Sequence, residues 1–323
     1  MTALFRSPIA APLAALLMVA LATALTTPRF IDAGNLSNLA LQVSIVAIVA
    51  IGSTFVIFTG GIDLAPGSAI ALLTMVFAVM VKFGGVPLPL AILLTVLLGG
   101  LLGAVLGGLS AYLRIPAFIT TLAALSAFRG VAFMFNNGSP VFSVHDSLET
   151  IFYGTFLGLP LPLYYLVILY ALAWYTLRYT AFGRAVYAVG GNPNAARLSG
   201  LNVRRIQCMV FVIAGLAAGI GAILMAARLN SGSPNYGVGL ELSAIAAAVI
   251  GGASLAGGRG NIINTCIGAL TIVIVQNGLN LNAVSTSVQT IVIGAIIVVA
   301  VGLDMWRREL GGALQHLTGF NRT

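Results

Sequence analysis

A chain of 323 residues that is 59% hydrophobic and only 7% charged cannot present the surface of a soluble domain, where about a quarter of residues carry charge. Its net charge of +8 lies between apolar runs and in the tail, so the excess marks orientation in a membrane rather than a nucleic-acid partner. The expected fold class is all-α: one polytopic transmembrane domain over residues 1–323, with lipid as the solvent for most of its surface.

Arg6 and the apolar run ending in Ala22-Thr23-Ala24 imitate a secretion signal. The run from Ile9 to Thr27 is long enough to cross a bilayer, however, and reads as a retained first span. Spans near 38–58, 67–83 and 87–113 follow. Asp63, between the second and third, has two readings: a cap for a helix starting near Leu64, or a polar residue lining a pathway. The fourth span carries Gly99, Gly103 and Gly107, a row that lets two helix backbones approach closely. Arg114-Ile115-Pro116 divides it from a span near 116–135, because proline lacks the N–H and disfavours helical geometry before it. Arg129 is expected to snorkel toward the outer surface. The longest outer loop, 136–160, holds His145, Asp146 and Glu149. A span near 161–178 completes the first half.

The segment 178–205 carries Arg178, Arg184, Arg197, Arg204 and Arg205 and no acid. Its middle spells a short capped helix. Asn192 is placed to accept from the first free N–H groups, Pro193 fits the first helical position, and Gly200 suits a left-handed stop. About two turns of helix do not stand alone. This is either an ordinary structured loop or a handle for a cytoplasmic partner.

Further spans near 206–227, 241–257, 261–281 and 286–304 bring the total to about ten. Glu241 lies in a first turn, where a carboxylate suits the helix dipole. Gln276, Asn277 and Asn280 share one helical face. Their amides match sugar hydroxyls in a pathway, or hydrogen-bond to neighbouring helices. Cys208 and Cys266 read as small buried side chains. With both termini inside, the inner loops hold Arg114, the 178–205 arginines, Arg259, Arg307 and Arg308. The outer loops hold only Arg29, Lys82 and Arg228, which favours N-in, C-in. Gly60-Gly61-Ile62-Asp63-Leu64-Ala65-Pro66-Gly67 and Gly251-Gly252-Ala253-Ser254-Leu255-Ala256-Gly257-Gly258 resemble one another. They are either an internal repeat of the kind transporters use or a coincidence of small residues.

Several chemistries are missing. The single lysine, Lys82, is followed by Phe83, so no P-loop can form. His145 and His316 fall on opposite faces of this topology and build no metal cluster. Asp63, Glu241 and Asp304 lie near span ends, which leaves no paired intramembrane carboxylates for a proton pump or a membrane enzyme.

In order along the chain stand GGIDLAPGS (60–68), IPAFITTLA (115–123), FRG (128–130), NGSP (137–140), Gly183-Arg184-Ala185 running directly into VYAVGGNPNAARLSGLNV (186–203), GLELSAIAAAVIGGASLAGGRG (239–260) and NGLNLNAVS (277–285). Together they resemble the permease subunit of a ribose-type carbohydrate ABC importer, from about Asn35 to Asp304. The chain departs from the usual pattern at Ala65-Pro66, where Ser-Val is usual, and at Ser243, where Asp is usual. The resemblance implies a bacterial inner-membrane protein that is not an enzyme. It implies ATP and magnesium on a separate cytoplasmic ATPase, no cofactor here, a periplasmic sugar-binding protein, and a second or sister permease. It assigns Arg184, Gly191, Asn192, Ala195, Ala196, Arg197 and Gly200 to ATPase coupling. Asp63, Gln276, Asn277 and Asn280 are the candidate pathway residues. The rival readings are an ion-coupled transporter or channel, a membrane enzyme, and a related permease for another solute such as a branched amino acid.

Overall fold

The computed structural model describes residues 9–318, with 303–318 described as helical backbone only. Arg6 lies outside the described residues, and nothing of the side chains of Asp304, Arg307, Arg308 and His316 is described. The helices are α1 (Ala10–Thr26), α2 (Ala33–Phe58), α3 (Pro66–Lys82), α4 (Leu88–Ala111), α5 (Ala117–Met134), α6 (Leu148–Tyr153), α7 (Leu161–Tyr179), α8 (Ala181–Gly191), α9 (Pro193–Leu198), α10 (Val203–Leu229), α11 (Leu240–Ile250), α12 (Ile262–Leu281) and α13 (Thr286–Thr318). Two 3-10 turns, Pro28–Ile31 and Phe135–Gly138, and four two-residue strands complete the list: β1 (Val141–Phe142), β2 (Thr155–Phe156), β3 (Leu159–Pro160) and β4 (Ser231–Gly232). β1 pairs antiparallel with β4 and β2 with β3.

Among the described residues six helices, α2, α4, α5 with the turn after it, α7, α10 and α12, are long and apolar enough to cross a membrane. Four apolar helices are shorter: α1, α3, α11 and the 286–302 part of α13. The span expected near 241–257 is therefore corrected. Only Leu240–Ile250 is helical, and Gly251 to Gly260 form a turn with Gly252, Gly257, Gly258 and Gly260 at positive φ.

The centre of the bundle is α2, whose residues from Val43 to Phe58 are all buried. A helix apolar on every side belongs at the core. α10 packs along α4, α2 and α3. The glycine row works as its spacing suggests: a Cβ on Gly103 would overlap Phe211 O, and one on Gly99 would overlap Gly215 O. α4 and α10 thus meet backbone to backbone. On its other side α4 exposes Leu90, Leu93, Leu94, Leu97, Leu101 and Val105, an apolar stripe that water would not tolerate and lipid does.

The chain repeats one manoeuvre in opposite senses. α2 ends at the face that carries α8 and α9, here the arginine face. Residues 59–65 then turn back inward, and α3 begins inside the bundle. α10 runs the other way, residues 230–239 turn back inward from the opposite face, and α11 begins inside the bundle. The starts of α3 and α11 meet: a Cβ on Gly67 would overlap Gly237 O, and one on Gly237 would overlap Gly67 O. The counterpart of 59–65 is therefore 230–239. The similar strings at 60–67 and 251–258 are not equivalent positions of two halves. Both lie at the arginine face, where they touch.

Candidate functional site: the arginine face and the buried helix starts

At the arginine face the expected helix is present. Asn192 Oδ1 accepts from the backbone N–H groups of Asn194 and Ala195, both at 3.0 Å, Pro193 occupies the first helical position of α9, and Gly200 ends it at φ +84. Ala195, Arg197 and Leu198 are exposed, with Leu198 the extreme at 89%. Ala196 is different. It is buried beneath α9 and holds the helix down rather than facing outward. Arg184 and Gly191 are exposed on α8.

The sequence reading does not separate α8 as a helix of its own. Thr180 Oγ1 caps it by accepting from Gly183 N at 3.1 Å. Its buried side, Gly183, Ala185, Val186 and Val189, has the three- and four-residue spacing that would have revealed it. Between α9, the start of α10 and the α4–α5 turn lies a cleft of about 720 Å³, lined by Arg114, Arg197, Arg204, Asn194 and Gln207 among others and by no acid.

α8 is bound to the core through aromatics. Phe182 stacks on Phe55 with ring centres 6.5 Å apart, and Tyr187 lies against Phe58 at 4.9 Å. Tyr187 OH donates to Gly260 O at 3.2 Å. Burial pushes its phenol up to about 12, although Arg178 pulls the other way.

The second set of candidates lies inside. Asp63 is buried, and its Oδ1 accepts from Ala65 N at 2.9 Å. The helix beyond starts at Pro66 with Ala65 as its cap residue, so Asp63 shapes the turn and does not cap α3. It borders a small cavity of about 20 Å³ with Gly99 and Gly103 of α4, Phe211 and Gly215 of α10, near the midpoints of those helices, and Phe128 of α5. That volume suits a single water. Glu241 lies at the start of α11, over Gly67, with its Oε2 buried and unpartnered. Both carboxylates lie at helix starts, as expected; the two inward turns bring the start of α3 against that of α11.

Arg129 does not snorkel outward. Its guanidinium donates to Pro234 O and, at 2.7 Å, to Tyr236 O, which ties α5 to the 230–239 turn. Lys82 donates to Phe142 O at the opposite face. The three candidate amides of α12, Gln276, Asn277 and Asn280, each have a partner on a different element. Gln276 donates to Ser243 Oγ at 3.2 Å, Asn277 pairs with Asn35, and Asn280 accepts from Gln289 at 2.8 Å. Ser243, at the position where the resembled family usually has Asp, gives Gln276 a neutral partner. Among the described residues no group of three or more His, Cys, Asp and Glu side chains gathers.

An apolar exterior, helices of crossing length, two helices that begin inside the bundle and a basic face with a projecting capped helix define a membrane transport permease. The family model for the permease component of branched-chain amino acid transport systems matches residues 35–301. The chain belongs to that family of ABC importer permeases, whose members are transporter subunits and not enzymes. It is 41% identical over 295 residues to the ribose import permease protein RbsC of Bacillus subtilis, covering 91% of each chain. It is 43% identical over 296 residues to RbsC of Escherichia coli K12, covering 90% of this chain and 92% of that one. It is 34% identical over 340 residues to the xylose transport system permease protein XylH of Haemophilus influenzae, covering 86% and 91%. No solved structure matches the chain.

Proposed function

We propose that this permease carries a monosaccharide across the bacterial inner membrane, as one transmembrane domain with the arginine face and both termini in the cytoplasm. Its similarity to ribose and xylose permeases favours a sugar over a branched amino acid. ATP and magnesium belong to a cytoplasmic ATPase that docks on the exposed side of 183–200, away from the core-facing Tyr187. A periplasmic binding protein delivers the sugar to the opposite face, and a second copy or a sister permease completes the pore.

The observation that carries this reading is α9, a capped helix beside an acid-free basic cleft with Leu198 89% exposed at its end. An apolar side chain projecting from a capped helix beside a basic cleft offers a protein partner both apolar and charged contacts. Arg184, Arg197 and Leu198 contact the ATPase in this arrangement, Ala196 supports them from beneath, and Asn192, Gly191 and Gly200 set the helix. Asp63 is the strongest of the pathway candidates, because it lies where two helix starts converge. Gln276, Asn277 and Asn280 enter the pathway only by giving up their present partners. The test is reconstitution in liposomes: sugar uptake should require the ATPase, ATP and the binding protein. Uptake by the permease alone would favour the channel or ion-coupled reading.

A further inference from the structure

Four segments of backbone converge beneath α8: the last turn of α2, the last turn of α8, the 59–65 turn and the 251–260 turn. Phe58 O accepts from Gly258 N at 2.9 Å. A Cβ on Gly190 would overlap that same carbonyl oxygen, one on Gly257 would fall 2.8 Å from Gly60 N and 2.9 Å from Gly190 O, and one on Gly258 would fall 2.6 Å from Gly191 Cα. Only glycine fits at Gly190, Gly257 and Gly258. Around this knot Tyr187 packs its ring on Phe58 and donates its hydroxyl to Gly260 O.

One inward part of the bundle leaves from here and the other ends here. The 59–65 turn leads to Asp63 and the start of α3. The 251–260 turn is the far end of α11, whose first turn holds Glu241. A close-packed junction cannot absorb displacement by yielding, so it passes movement on. The knot therefore places α8, the two inward-turned segments and the core helix in mechanical contact, with nothing soft between them.

We propose that the junction of Phe58, Gly190, Gly257 and Gly258, held by Tyr187, transmits movement of α8 simultaneously to the 59–65 and 251–260 turns, and so to the starts of α3 and α11. Tyr187 is a positioning residue in this scheme and touches neither sugar nor nucleotide. The inference rests on the reading that 183–200 docks the ATPase.

The test uses the complete importer in liposomes, with Tyr187→Phe, which removes only the hydroxyl, and Tyr187→Ala, which also removes the ring. Three quantities are measured: ATPase co-purification, ATP hydrolysis, and sugar delivered per ATP. Co-purification and hydrolysis should hold, while sugar per ATP falls about five-fold in Tyr187→Phe, the factor one hydrogen bond of about 1 kcal/mol is worth, and at least about ten-fold in Tyr187→Ala. ATP-dependent hydrogen exchange at 59–65 and 251–260 should be present in the wild type and reduced in both variants. An unchanged yield per ATP with the ATPase still bound overturns the proposal. Loss of ATPase binding in the variants overturns it too, since the junction would then only support the docking helix. Failure of the wild type to bind an ATPase instead refutes the docking reading. If Tyr187→Ala does not fold, Tyr187→Phe decides.

Discussion

Asn35 and Asn277 exchange two hydrogen bonds, at 3.0 and 2.8 Å, and so lock the start of α2 to α12. Asn35 also donates to Phe30 O at 2.8 Å. Each amide satisfies the other, with Asn277 buried and Asn35 half-buried, so removing one leaves its partner short of a hydrogen bond.

Asn277→Ala should therefore destabilise the protein by about 0.5–1.5 kcal/mol, the net worth of a hydrogen bond whose remaining partner, Asn35, is half-buried. Thermal unfolding in detergent reads this. The double variant Asn35→Ala/Asn277→Ala should be less damaged than the sum of the singles. Intact stability with lost sugar uptake would instead place Asn277 in the pathway.

Leu198→Glu should leave the unfolding temperature unchanged, because the side chain touches almost nothing in the permease. ATPase co-purification should fall at least about five-fold, the loss expected of an interface anchor worth more than about 1 kcal/mol. Arg197→Glu should act in the same direction. Ala196→Glu should differ from both by lowering stability, since that residue is buried. Equal stability of the Ala196 and Leu198 variants would contradict the placement of α9.

Gly103→Ala should destabilise by about 1–3 kcal/mol through overpacking, because the new methyl overlaps Phe211 O. Gly108→Ala, on the same helix with open space around it, is the control and should be neutral or slightly stabilising. The two variants compared by thermal unfolding give the answer.

Tyr187 has a folded pKa raised to about 12 from an ordinary value of 10. The folded protein holds the proton more tightly than the unfolded chain. Its contribution to stability is full below pH 10 and is lost as pH rises from 10 toward 12. Unfolding measured from about pH 9 to 12 should show a steeper decline for wild type than for Tyr187→Phe. Parallel declines would mean that the hydroxyl is solvated.

Much of this fold can be read from sequence, since apolar runs and their breaks are local. Pro116 and Arg114 mark the α4–α5 break, where Arg114 takes φ +60. Asn192, Pro193 and Gly200 mark α9 because capping chemistry is encoded within a few residues. What escapes is depth. Asp63 and Glu241 look like residues at the ends of full spans, and nothing in their neighbours says that the chain has doubled back. Arg129 likewise looks like a cation near an interface, because its carbonyl partners at Pro234 and Tyr236 lie more than a hundred residues away. The α12 amides share a face by periodicity, yet the partner of each is set by tertiary packing alone.

The glycine seam has one more consequence. With Gly99 and Gly103 against Gly215 and Phe211, α4 and α10 have no side-chain layer between them in which to slide. They must travel as a single rigid strut. Whatever swings when solute crosses has to hinge around that strut, and grafting α10 from a distant relative without its matching α4 should jam the machine.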